Sequence, residues 1–137
     1  MPESIKHKEL TLKIVKYTKG IVPRDNYCLI EVHSDVDTIR PLKTDEGFVP
    51  DVRYHYDGLF IIGEAKTSTD FFNFHSQEQY ASYCKACSIV DDEAYFILAV
   101  PWNVFLSAKN LVRQYKQKYA YQFHSVIIDD YMKAEVI

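Results

Sequence analysis

Residues 50–66, PDVRYHYDGLFIIGEAK, decide how this 137-residue chain folds. Asp57-Gly58 is a strong two-residue hairpin signal, and it separates two runs that read as strands, Val49 to Tyr56 and Leu59 to Ala65. Antiparallel pairing of these runs brings Pro50-Asp51, near the start of the first, beside Glu64-Ala65-Lys66, at the end of the second. Side chains alternate faces along a strand, so Glu64 and Lys66 point one way and Ala65 the other, while Asp51 can reach the face of Glu64. Two carboxylates and an ammonium thus converge on one point. Carboxylates that close repel unless a divalent cation sits between them, and hard oxygen ligands with water in the remaining positions suit Mg²⁺ or Mn²⁺. Phe60, Ile61 and Ile62 precede Glu64 in what reads as a central strand, where bare charge is expensive unless it serves a site.

Outward from the hairpin, the N-terminal segment to Gly20 reads as a helix. Glu3, His7, Leu10, Ile14 and Tyr17 fall on one side of it and Glu9, Lys13 and Lys16 on the other. The inward stripe therefore carries a carboxylate and an imidazole at its start. Residues 27–34, YCLIEVHS, read as a strand, and a polar loop follows. After the hairpin come a helix from Phe74 to about Ser88, a strand from Ala94 to Val100, a helix from Trp102 to Tyr119 and a strand from Ser125 to Ile128. On the last helix Lys109, Arg113 and Lys116 form a basic stripe expected to face outward. The order predicts one α/β domain over residues 1–137, a mixed central sheet flanked by helices.

Asp51, twelve residues, then Glu64-Ala65-Lys66 on adjacent strands resembles the signature of the PD-(D/E)xK nuclease superfamily. Most of the chain is similar to that superfamily's restriction-endonuclease-like αβββαβ core, with a helix and a strand added at the C-terminal end. The resemblance implies a metal-dependent nuclease hydrolysing phosphodiester bonds in DNA, most simply an endonuclease. In it Asp51, Glu64 and the Ala65 carbonyl hold Mg²⁺ or Mn²⁺, and Lys66 orients the attacking water. Gln79 and Tyr83, four apart on one helix face, resemble the Q-x-x-x-Y element of the RecB-like branch, where such residues help position the metal site and the nucleic-acid backbone. Glu3 is similar to the acid that many members place on the first helix beside the metal, although a glutamate in a first helical turn is also favoured by the helix dipole. A junction resolvase, a nuclease subunit of a restriction, transposition or phage system, and a non-catalytic nucleic-acid-binding module on the same fold are the alternatives.

Composition sets the outer bounds. The chain is 47% hydrophobic and 26% charged, ordinary for a globular domain, and its net charge of -3 excludes a general polyanion binder. Charge is unevenly spread: +3 over residues 1–20, -8 over 21–101 and +2 over 102–137. Three cysteines cannot form a full set of disulfides, and they fall one short of the four that ligate an iron-sulfur cluster. With no long apolar run and a charged N-terminus, the expectation is a cytoplasmic protein without a membrane segment. DNA is the expected partner, and a 16 kDa chain is expected to need a dimer or a partner subunit to cut both strands of a duplex.

Overall fold

Asp57 and Gly58 both adopt positive φ, 52° and 80°, as a two-residue hairpin turn of type I′ requires. The turn sets Tyr56 opposite Leu59 and so fixes the register of strand β2 (Val52–Tyr56) against strand β3 (Leu59–Ala65). A two-residue strand, β1 (Glu31–Val32), pairs antiparallel with β2 on the outer side. Beyond β3 lie β4 (Glu93–Ala99) and β5 (His124–Ile128), each parallel to its predecessor, and then β6 (Ala134–Val136), antiparallel to β5. The result is a six-stranded mixed open sheet in the order β1-β2-β3-β4-β5-β6. The computed structural model describes residues 4–33, 41–120, 122–131 and 133–137.

Among the described residues three α-helices cover the sheet. Helix α1 (Ile5–Ile21) starts at Ser4, whose hydroxyl accepts the His7 N–H at 3.1 Å. It buries Leu10 and Ile14 completely against Val52, Tyr54, Ile61 and Ala65 on one face of the sheet. Parallel pairing needs a crossover connection, and helices α2 (Phe74–Ile89) and α3 (Phe105–Lys118) supply the two, both on the opposite face. There Phe60, Ile62, Phe96 and Leu98 pack against Tyr80, Tyr83, Cys84, Ala108 and Val112. Each large aliphatic residue so buried is worth roughly 1.5–3 kcal/mol. Cys84 and Cys87 belong to this core, and burial pushes both thiols up, so they behave as apolar side chains.

At Gly63 helix α1 packs directly against the backbone of β3. A Cβ there would collide with Ile14 Cγ2 and come within 3.3 Å of Val52 Cβ. Gly63→Ala should therefore destabilise the protein by about 1–3 kcal/mol through overpacking, read as a fall in the urea midpoint with the slope unchanged.

The structure departs from expectation in three places. Residues 24–29 form a 3-10 turn where a strand over 27–34 was expected, leaving only Glu31 and Val32 in the sheet. The Tyr27 hydroxyl donates to the Lys19 carbonyl at 2.7 Å, tying this segment to the end of α1; residues 34–40 lie outside the described residues. Strand β6 was not expected, since three residues carry no periodicity. It also undoes the basic stripe: Lys109 pairs with Glu135 of β6 at 2.6 Å, and Lys116 is buried with its ammonium donating to the Ile137 carbonyl at 2.8 Å. Arg113 remains exposed. Among the described residues no helix is long and apolar enough to cross a membrane.

Candidate functional site

The register that sets Val52 opposite Gly63 carries Asp51 level with Glu64, at the edge where β3 ends. Val52 and Gly63 face α1, so the next pair in the ladder turns toward α2. Both carboxylates are buried, with Asp51 6% and Glu64 3% exposed. Asp51 is held from three sides: the Ala65 N–H donates to its Oδ2 at 2.8 Å, His7 Nε2 on α1 lies 3.2 Å from the same oxygen, and its own carbonyl accepts the His33 N–H at 2.8 Å.

Electrostatics split the pair. Burial works to raise the Asp51 pKa, but a hydrogen bond with Glu64 and the contacts with His7 and the Ala65 N–H outweigh it and hold the group below the ordinary aspartate range. In Glu64 the balance runs the other way: burial and then the neighbouring Asp51 push its carboxyl well above the ordinary glutamate range, and Lys66 and Tyr83 offset this only in part. A carboxyl pair driven apart in this way holds a shared proton to higher pH than an ordinary carboxylate would, and Glu64 is the member that holds it.

Lys66 continues past β3, its N–H donating to the Ala99 carbonyl at 3.0 Å, and its ammonium donates to Gln79 Oε1 on α2. Tyr83, one turn further along, donates its hydroxyl to the Val49 carbonyl at 3.1 Å and stands beside Glu64. Burial and the Glu64 charge push that phenol far up, so it remains a neutral hydrogen-bond donor. Asn73 caps α2, its side chain accepting the Ser76 N–H at 2.7 Å, which fixes where the helix begins and hence where Gln79 and Tyr83 stand.

Asp51, Glu64, Ala65, Lys66, Gln79 and Tyr83 thus gather at one end of β3, and Glu3 lies outside the described residues. His7 is the residue that sequence reasoning undervalued: its place on the inward stripe of α1 was legible, but its contact with Asp51, 44 residues away, was not. The histidine of the hairpin itself, His55, pairs with Asp92 at 2.6 Å near the far end of the strands and takes no part.

Glu64 Oε2 is buried without a hydrogen-bond partner among the described residues. A carboxylate oxygen in that state costs roughly 1–3 kcal/mol or more unless a cation or proton meets it. This oxygen, level with a second buried carboxylate, fits a hard divalent cation. Among the described residues no group of three or more His, Cys, Asp or Glu side chains is spaced to hold a metal ion. A cation at this pair would draw its remaining ligands from carbonyl oxygen and water, as Mg²⁺ characteristically does. No family model, curated protein or solved structure matches this chain.

Proposed function

We propose that the chain is a metal-dependent nuclease of the PD-(D/E)xK type, built on a restriction-endonuclease-like core and hydrolysing phosphodiester bonds in DNA. The observation that carries this reading is the pairing of two buried carboxylates, one with an unsatisfied oxygen, beside a lysine held by a glutamine. A salt-bridged surface needs none of that burial, and a core needs none of that charge.

Asp51 and Glu64, with the Ala65 carbonyl, would hold Mg²⁺ or Mn²⁺. When bound, the cation would supply Lewis-acid activation of water and neutralise charge on the phosphate. The chain's own residues then divide the work. His7 and the Ala65 N–H fix the Asp51 carboxylate, so that it meets the cation in one orientation. Lys66 orients the attacking water and stabilises negative charge building on the phosphoryl oxygens. Gln79 keeps the ammonium at that place, and Tyr83, its hydroxyl tied to the Val49 carbonyl, stands beside Glu64. The reading also carries a cytoplasmic location and a dimer or partner subunit for cutting both strands of a duplex.

Digestion of supercoiled plasmid in Mg²⁺ or Mn²⁺ tests it. An endonuclease nicks and linearises the closed circle, whereas an enzyme acting only from ends leaves the circle intact and degrades linear DNA. A synthetic four-way junction cut in preference to both would favour the resolvase alternative. If no DNA form is cut in either metal while DNA still binds, a non-catalytic binding module on the same fold takes the place of the nuclease.

A further inference from the structure

The C-terminal ends of the parallel strands β3, β4 and β5 open on the same edge of the sheet as Asp51 and Glu64. At that edge Trp102 and Tyr131 are large aromatic residues left 60% and 74% exposed. Neither hangs on a loose loop. Asp130 Oδ1 accepts the Trp102 N–H at 2.8 Å, and Asp129 Oδ1 accepts the N–H groups of Tyr131 and Lys133 at 2.8 and 2.9 Å. The other oxygen of Asp130 takes the Lys6 ammonium at 2.7 Å. Lys6 precedes His7, which touches Asp51, so one chain of contacts runs from the aromatic pair to the carboxylate site. A second runs along the sheet: Ala65 and Ala99 are register partners, Lys66 is therefore level with Val100, and Trp102 stands two residues beyond. Asn103 reaches back to Ser68, two residues after Lys66, at 3.0 Å.

We infer that Trp102 and Tyr131 form a base-stacking platform, and that the substrate strand entering this site is single-stranded DNA with unpaired bases rather than intact duplex. The inference rests on the nuclease reading of the neighbouring carboxylates. Two exposed rings on hydrogen-bonded backbone, beside a site for phosphodiester chemistry, match what unpaired bases offer, since each base has a π-face and duplex DNA hides it in the stack. Charge points the same way. Duplex binding depends chiefly on cations neutralising phosphates, and here Lys6 is held by Asp130, Lys109 by Glu135, and Lys116 is buried. With those three cations occupied, stacking carries a larger share of affinity.

Trp102 is the chain's single tryptophan, so its fluorescence reports on the platform alone. In EDTA, where no cleavage occurs, oligo(dT) of about 15 nucleotides should quench that emission, and a blunt DNA hairpin of matched length should not. By anisotropy with labelled oligo(dT), Trp102→Ala and Tyr131→Ala should each weaken binding by roughly tenfold, the size of one lost stacking contact. Trp102→Phe should keep most of the affinity, and all three variants should melt like the wild type, because these rings are mostly exposed. Oligo(dT) that fails to bind, that binds without quenching, or that binds the alanine variants as tightly as the wild type would overturn the inference, as would equal quenching by the hairpin. The two readings fail separately: metal-dependent cleavage with no Trp102 quenching removes the platform and leaves the nuclease, while quenching without cleavage of any DNA removes the nuclease and leaves a binding platform.

Discussion

Glu64→Gln should abolish cleavage of DNA while raising the melting temperature of the metal-free protein. The cause is the unmet oxygen. In the wild type a buried carboxylate faces Asp51 with one oxygen unpartnered, and burial and that neighbour together push its pKa well up. Glutamine keeps the shape, carries no charge and turns an N–H toward Asp51. Replacing the carboxyl that is forced to hold its proton beside Asp51 with a neutral amide relieves a cost of about 1–2 kcal/mol, or roughly 3–8 °C for a domain of this size. The pH dependence has a definite sign. Glu64 binds its proton more tightly when folded, so its contribution is fully present below the ordinary value of 4.5 and is lost as pH rises through the raised folded value. Asp51 behaves oppositely: its contribution is present above the ordinary 3.8 and is lost as pH falls through its depressed folded value. Metal-free wild type should therefore lose stability as the solution goes from mildly acidic to neutral, and Glu64→Gln should lose much less. Thermal melts of both proteins across that range check this. A variant that melts lower than the wild type at neutral pH would mean that the pair is structural rather than a strained site kept for function.

Lys66→Met should lower the single-turnover cleavage rate by about 10²–10⁴-fold, the usual worth of a positioned proton-handling or charge-stabilising group. Affinity for the cation at alkaline pH should be nearly unchanged, because the two carboxylates remain. The variant should also shift the pH at which cation binds. Lys66 is the positive charge that partly offsets the rise in the Glu64 pKa. Without it the Glu64 proton is held more tightly and competes with the metal to higher pH. A merely structural lysine would change stability and leave that pH profile in place. Gln79→Ala, which releases the ammonium while leaving its charge nearby, should fall between wild type and Lys66→Met in rate and leave the profile close to that of the wild type.

The hairpin was legible because its signals are local. Asp57-Gly58 sets the turn, the turn sets the register, and the register alone carries Asp51 level with Glu64. The three helices and β4 and β5 were legible from apolar runs and periodicity. What escaped was decided by partners far away in sequence. Residues 27–34 have the composition of a strand, but a hydrogen bond from Tyr27 to Lys19 keeps most of the segment turning against α1. Lys116 falls on the outer side of an isolated helix, yet it is buried, its ammonium over the Phe123 ring and donating to the carbonyl of residue 137. His7 against Asp51 and Lys6 against Asp130 span 44 and 124 residues, and no spacing rule reaches that far.

Calorimetric titration with Mn²⁺ tests the central claim, a cation held between Asp51 and Glu64, most directly. Wild-type protein at neutral pH should bind Mn²⁺ at this pair with release of the shared proton, so the measured heat should vary with the ionisation enthalpy of the buffer. Asp51→Ala and Glu64→Gln should each abolish the signal. Binding by both variants as tight as that of the wild type, or a wild type that binds no Mn²⁺ at any pH at which it stays folded, would contradict the account.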